Sequence, residues 1–400
     1  MGLEEDVVPG GGSENSHTPS GWRVPRTNAP KIHRRMEREL LEAVSPALFG
    51  DAWEAQQIVA KFEREFAVEM GYEFVSAVQS GSAGLRLSLL ACGVKPDDEV
   101  ITVANSDIAT TAAISHCGAT PVLCDVTASD YTMDVELVES LITERTVGLL
   151  PVDLYGHPAD VYRLREIADR HELFIIQDAA IATGARDREL PLGAFADMTV
   201  FSCSPYKPFD GIGNGGLVVT ADESLWERVE ILKGFGLRAG VPKTLPVKYD
   251  HVAEGYNLKM TPIDAAVLSV KLPYLKSWST ERRRIGSWYR ERLIGVQGIK
   301  LPSFRPEAEP IFRTFTIRVR ARDSVYRRLQ EGGVQAALHY VPPVHLQPIY
   351  RDRNLPGSER LPVTEQLGND ILCLPVALEM RREDVQVACE LLLSIHNNSE

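Results

Sequence analysis

No run in these 400 residues approaches the roughly 18 consecutive apolar positions needed to cross a bilayer, so a membrane span is not expected. The N-terminus is acidic and glycine-rich rather than basic and then apolar, which argues against a secretory signal and makes the cytoplasm the expected compartment. The six cysteines (Cys92, Cys117, Cys124, Cys203, Cys373 and Cys389) form no C-x-x-C pair, and most sit inside apolar runs. They read as small buried hydrophobes, not as a disulfide framework or a metal site. Cationic excess is missing too: a formal charge of −12 and a pI near 5.4 leave no concentrated basic field for nucleic acid. An enzyme acting on small molecules fits this composition better.

The apolar and charged fractions, 44% and 24%, are ordinary for a globular chain. The length exceeds what one core usually organises, which predicts two domains. Residues 1–22, poor in apolar side chains, are expected to form a disordered tail. A large domain is expected over 23–250 and a smaller α+β domain over 251–400. Short apolar runs such as Val100 to Val103, Pro121 to Asp125, Val147 to Val152 and Leu173 to Asp178 suit strands covered on both faces. Helical spacing lies between them, as in Tyr162 to His171, so a mainly parallel sheet in an α/β domain follows. In the second half, Pro262 opens a helix running to about Leu275, and an arginine-rich helix covers Ser279 to Leu293. A strand over Phe312 to Val319 and a helix over Arg322 to Glu331 follow.

Ligands of open α/β sheets bind beyond the carboxyl ends of the strands, and three segments there carry chemistry. In S-G-S-A-G-L (Ser80 to Leu85), the glycines permit close backbone approach, and Ser82 with the N–H groups of the helix start can cradle a phosphate. Small residues before a helix also serve as a plain turn. Asp178, at a strand end before two alanines, can hold a protonated pyridine nitrogen; it can equally cap a helix. Lys207 lies beyond M-T-V-F-S-C, between Pro205 and Pro208 and ahead of a glycine-rich turn. Shielded from water it becomes nucleophilic towards an aldehyde, and the competing reading is a solvated loop lysine.

These pieces stand in an order that resembles the DegT/DnrJ/EryC1/StrS sugar aminotransferases, from about residue 30 to 395. The resemblance rests on S-G-S-A-G-L, D-E-V-I-T-V-A-N-S (Asp98 to Ser106), G-A-T-P-V-L-C-D-V (Gly118 to Val126), L-Y-G-H-P-A-D (Leu154 to Asp160) and Q-D-A-A (Gln177 to Ala180). It continues through F-S-C-S-P-Y-K (Phe201 to Lys207), G-Y-N-L-K-M (Gly255 to Met260) and H-Y-V-P-P-V-H-L-Q-P-I-Y (His339 to Tyr350). It implies an aspartate aminotransferase-like fold of type I and pyridoxal 5'-phosphate as cofactor. Lys207 would carry that cofactor and shuttle the proton, Asp178 would pair with its ring nitrogen, and Gly81, Ser82, Ala83 and Ser202 would hold its phosphate. Asn257 would reach the site of a neighbouring subunit, implying a homodimer with shared active sites, while His345 and Tyr206 would face the sugar.

Two positions depart from the family pattern. Asp107 stands where relatives stack an aromatic residue on the ring, and Ile181 replaces a glutamine expected near the ring hydroxyl. The function that the resemblance implies is transfer of an amino group from glutamate or glutamine to a nucleotide-linked keto sugar, in amino-sugar or antibiotic biosynthesis. Alternatives are a dehydratase- or lyase-type reaction on the same cofactor and a non-catalytic sugar-binding or regulatory homologue. A dinucleotide site is disfavoured, since G-I-G-N-G-G (Gly211 to Gly216) leads into a strand and not a helix.

Overall fold

The computed structural model describes residues 21–238 and 250–397; the expected disordered tail, except its last two residues, lies outside them. Seven strands form the main sheet: β1 (Phe74–Val78), β2 (Glu99–Val103), β3 (Thr120–Cys124), β4 (Thr146–Leu149), β5 (Phe174–Asp178), β6 (Met198–Ser202) and β7 (Gly216–Thr220). Their order is β1-β7-β6-β5-β4-β2-β3. β7 runs antiparallel to both neighbours, and the β6-β5-β4-β2-β3 pairings are all parallel. Every residue of β2 and β6 is buried, as near-continuous apolar strands under helices on both faces require.

Helix α1 (Ala52–Met70) precedes the sheet, and α2 (Gly81–Ala91), α3 (Ile108–His116) and α4 (Val161–Arg170) cross between its strands. α4 shows why the helical spacing was readable: Val161, Leu164, Ile167 and Ala168 form one buried stripe, and Asp160 caps its first turn. β4 ends earlier than the apolar run Val147 to Val152 suggests, because Pro151 has no N–H for the ladder; Val152 still bridges to Asp178.

Beyond the sheet come α5 (Pro262–Lys271), α6 (Leu275–Leu293), α7 (Arg322–Glu331) and α8 (Arg382–Asn397). The break between α5 and α6 falls at a short 3-10 turn over Leu272–Tyr274, where Pro273 cannot continue the hydrogen-bond ladder, and not near residue 277 as the spacing suggested. A second, three-stranded antiparallel sheet pairs Ile299–Lys300, Phe315–Val319 and Ile371–Leu374. The central strand starts at Phe315 instead of Phe312, since Phe312 takes a left-handed φ of 48° incompatible with a strand.

The two cores divide the chain differently from a boundary near residue 250. Ala265, Leu268, Leu272 and Leu275 join the apolar cluster of Phe62, Phe66 and Phe201, so α5 packs on the large sheet. Val24, at the other end, pairs with Val334 and belongs to the core of the small sheet with Ile317 and Leu374. Each is placed by its apolar face, which finds the nearer core whatever its position in the chain. No helix of the described residues is long and apolar enough to cross a membrane.

Candidate active site

A cavity of about 390 Å³ opens at the carboxyl ends of the parallel strands. After β1 it is lined by Ser80, Gly81 and Ser82; after β2 by Ser106, Asp107 and Thr110; after β5 by Asp178 and Ile181; after β6 by Ser202, Ser204 and Lys207. Asn214 and Tyr340 complete the wall. Chain segments more than a hundred residues apart meet there because their strands are neighbours in the sheet.

At one end lies a candidate anion cradle. α2 begins at Gly81, so the positive end of its dipole lies at the cavity wall that Gly81 and Ser82 line. Gly81 has no substitute: a Cβ there would stand 2.9 Å from Ser202 Cβ. Ser202 and Ser204 pair their hydroxyls at 3.3 Å. Ala83, expected to offer its N–H to a phosphate, instead donates it to Ser80 Oγ at 3.1 Å and does not line the cavity. The helix cap takes that donor, and the cavity wall at this end is formed by Gly81, Ser82, Ser202 and Ser204.

At the other end, Asp178 is buried, and burial raises its pKa. Thr110 Oγ1 donates to its Oδ2 at 2.8 Å and the Ala180 N–H to its Oδ1 at 3.1 Å, both favouring the charged form. Ser106 Oγ meets Thr110 Oγ1 at 2.9 Å, so the carboxylate heads a short hydroxyl chain. Sequence reasoning missed Thr110 and Ser106; the available signal was their place just after β2, Ser106 in the turn and Thr110 in the first turn of α3, at the same sheet edge as Asp178. Asp107 caps α3 by accepting from the Ala109 N–H at 2.9 Å, and its carboxylate lines the cavity beside Ile181.

Lys207 projects from a loop that is held on several sides. Phe209 is fully buried against Phe62 and Phe66, with ring centroids 6.4 and 6.0 Å apart. Asp210 Oδ1 accepts from Lys271 Nζ of α5 at 2.8 Å, and Asp264, also on α5, accepts from the Gly213 N–H at 2.9 Å. Tyr206 adopts a left-handed φ of 70°, an unfavourable state for a side chain of its size that the anchored loop maintains. Burial is the main cause that lowers the Lys207 pKa; Arg313 adds to it, while Asp178 and Asp107 oppose.

Three other residues singled out from sequence lie off this cavity. Asn257 is exposed and held through backbone pairing with Gly234. His345 is buried, 3.5 Å from Glu365, and its pKa is lowered by burial. Tyr206 is half-exposed and lines a separate, narrower cavity on the other side of Lys207.

A buried carboxylate opposite an amine, with an anion cradle at a helix start to one side, fits pyridoxal 5'-phosphate in ring nitrogen, aldehyde and phosphate. Fold and site together define a pyridoxal-phosphate protein of fold type I, with the aspartate aminotransferase-like architecture. The chain belongs to the DegT/DnrJ/EryC1/StrS aminotransferase family, whose family model matches residues 34–393. It is 42% identical, over 80% of this chain and 86% of the relative, to the erythromycin biosynthesis sensory transduction protein EryC1 of Saccharopolyspora erythraea. It is 37% identical to the dTDP-3-amino-3,4,6-trideoxy-alpha-D-glucose transaminase of Streptomyces venezuelae, over 92% and 94% of the two chains. Among solved structures, S. venezuelae DesV in complex with a ketimine intermediate superposes with a TM-score of 0.85 at 35% identity, covering 93% of this chain and 98% of that one. NtdA from Bacillus subtilis with bound cofactor PMP gives 0.81 at 27% identity, covering 94% and 85%.

Proposed function

We propose that this protein transfers an amino group from glutamate or glutamine to a ketone of a nucleotide-linked sugar, with pyridoxal 5'-phosphate on Lys207. The observation that carries the reading is the convergence of Lys207, Asp178 and the Gly81–Ser82–Ser202 cradle in one cavity. Relatives named as dTDP-sugar transaminases support the substrate class. The cofactor, when bound, supplies an aldehyde to the amine and an electron sink to the substrate carbon.

This chain's own residues do the rest. Lys207, its pKa lowered by burial, presents a neutral amine more readily than a solvated lysine and, once freed, moves a proton as acid and base in both halves of the reaction. Asp178, oriented by Thr110 and Ala180, holds a cationic ring nitrogen and keeps it protonated. Ser82, Ser202 and the start of α2 fix the phosphate and with it the angle of the ring. Asn257, exposed on this chain, is assigned to the site of a second copy, which makes the active form a homodimer, and the cytoplasm is the assigned compartment. His345 and Tyr206 are assigned to the part of the sugar nucleotide that extends beyond the cavity described.

A yellow protein whose absorption band shifts on adding glutamate or glutamine, and shifts back on adding a keto sugar, is the expected result. Lys207→Ala should abolish the exchange. A colourless protein that binds no cofactor overturns the reading. The name of the EryC1 relative favours a second reading, a sugar-binding regulator; it predicts sugar-nucleotide binding without release of an oxo acid.

A further inference from the structure

The cavity beyond the parallel strands is lined by two carboxylates, and the reading above uses one of them. Asp178 is 4% exposed and fixed by Thr110 and Ala180, which suits the inner end, where a ring nitrogen has to stay charged. Asp107 is exposed, at the mouth, where the chain passes from β2 into α3. It caps α3 with one oxygen only: Oδ1 accepts the Ala109 N–H at 2.9 Å, and among the described residues nothing reaches Oδ2. A helix cap needs no more than one such oxygen, and serine supplies it as well as aspartate. The second oxygen is therefore not explained by the fold.

Its surroundings leave that oxygen open to a ligand. Ile181, which lines the same cavity, has no side-chain donor, and Lys207 is the one cation among the described residues of the lining. Tyr340, from the segment that follows α7, lines this cavity too. Burial, and after it the charge of Asp107, hold the Tyr340 phenol above its usual range, so it stays protonated and within the field of that carboxylate. Among the described residues, no hydrogen bond occupies the Tyr340 hydroxyl. A carboxylate that accepts and a phenol that donates are the two partners that one hydroxyl can satisfy together. An ammonium group has no lone pair to offer the phenol.

We propose that Asp107 is a specificity residue, which accepts a hydrogen bond from a hydroxyl of the keto sugar on a carbon beside the ketone. Reach sets the position of that hydroxyl. The ketone has to come to Lys207, and Asp107 lines the same cavity of about 390 Å³. The charge of Asp107 also acts on Lys207, which keeps the two within one site. A charged acceptor gains more from a hydroxyl than a neutral one does, and a sugar with hydrogen in that place leaves Asp107 and Tyr340 to water. The inference rests on the transaminase reading and narrows its substrate to sugars that keep a hydroxyl next to the carbon that is aminated.

The test uses pairs of dTDP-linked amino sugars that differ in a single hydroxyl beside the amino-bearing carbon, one pair for each of its two neighbours. Each sugar is added to the cofactor-loaded enzyme. The shift of the cofactor's absorption band gives the rate and half-saturation of amino transfer, and calorimetry gives the affinity. Wild type should favour the hydroxylated sugar of one pair roughly tenfold or more. Asp107→Ser keeps the helix cap but is too short to reach the sugar, so it should bring that ratio to within twofold. Asp107→Asn, a neutral acceptor of the same length, should keep an intermediate ratio. Because each ratio compares two sugars on one variant, a general loss of rate does not change it. A wild-type ratio within twofold for both pairs, or a wild-type preference that Asp107→Ser retains, overturns the proposal while transamination stands. A wild-type enzyme whose band shifts with neither glutamate nor glutamine defeats the transaminase reading instead, and the calorimetric ratio then decides on Asp107 by itself. Should Asp107→Ser not fold, an Asp107→Asn ratio equal to that of wild type overturns the proposal.

Discussion

Thr110 Oγ1 donates to Asp178 Oδ2 across 2.8 Å, linking the first turn of α3 to the end of β5 over 68 residues of chain. Together with the Ala180 N–H on Oδ1, that bond sets the angle of the buried carboxylate, and each oxygen keeps a further lone pair for a cationic ring nitrogen. Sequence reasoning passed over Thr110 as a site residue, although it singled out Asp178.

Thr110→Val keeps the shape and removes the donor. A hydrogen bond to a charged group contributes about 1.5–3 kcal/mol, so cofactor affinity should fall roughly 10- to 100-fold. Spectrophotometric titration of cofactor-free protein with pyridoxal 5'-phosphate reads the change, and an affinity within twofold of wild type would show that Thr110 does not orient Asp178.

Lys207 has its pKa lowered from 10.5 by burial, with Arg313 acting in the same direction. Below the pKa the amine is protonated and cannot attack an aldehyde, so capture of cofactor should rise with pH through a midpoint below 10.5 and then level off. Arg313→Met withdraws a positive charge and should move that midpoint upward. Stopped-flow capture rates across pH measure both; a midpoint at the ordinary lysine value would show an amine open to water.

Gly81→Ala tests the cradle. The new Cβ would lie 2.9 Å from Ser202 Cβ, where neither backbone can yield freely. Overpacking of this kind costs about 1–3 kcal/mol, and the expected outcome is a lower Tm together with weaker cofactor binding. Thermal unfolding and titration on the same sample separate the two losses.

In the small domain, Arg318 makes a forked contact with Asp370, with Nε 3.0 Å and Nη2 2.8 Å from Oδ2. Arg318 is buried, so Asp370→Ala strands its charge and should destabilise by about 3–5 kcal/mol. Adding Arg318→Met should recover a large part of that loss. Denaturant unfolding of the two variants gives the comparison, and equal stabilities would mean that the pair lies in water.

Much of the large domain was legible because its strands are short apolar runs and its helices carry a single apolar stripe, patterns that are local. β2, β5 and β6 each fall within a residue or two of the run that signalled them. Boundaries failed where one residue's backbone chemistry intervened, at Pro151, at Pro273 and at Phe312. Of the site, Lys207, Asp178, Ser82 and Ser202 were legible since each follows a strand, and the cavity gathers them. Ala83 was not separable from its neighbours, because whether an N–H is free depends on which way Ser80 points.

By itself, the order of residues determined the period of each element, the residues standing at strand ends and the chemistry those residues can perform, all of which depend on near neighbours in the chain. Only the tertiary structure decided that Thr110 serves Asp178, that α5 secures the lysine loop, and that Arg26, Arg282 and Arg313 converge beside Lys207. Those relationships arise when strand order and helix packing bring distant segments within a few ångströms, and hydrogen bonds and fields act over that distance, not over distance along the chain.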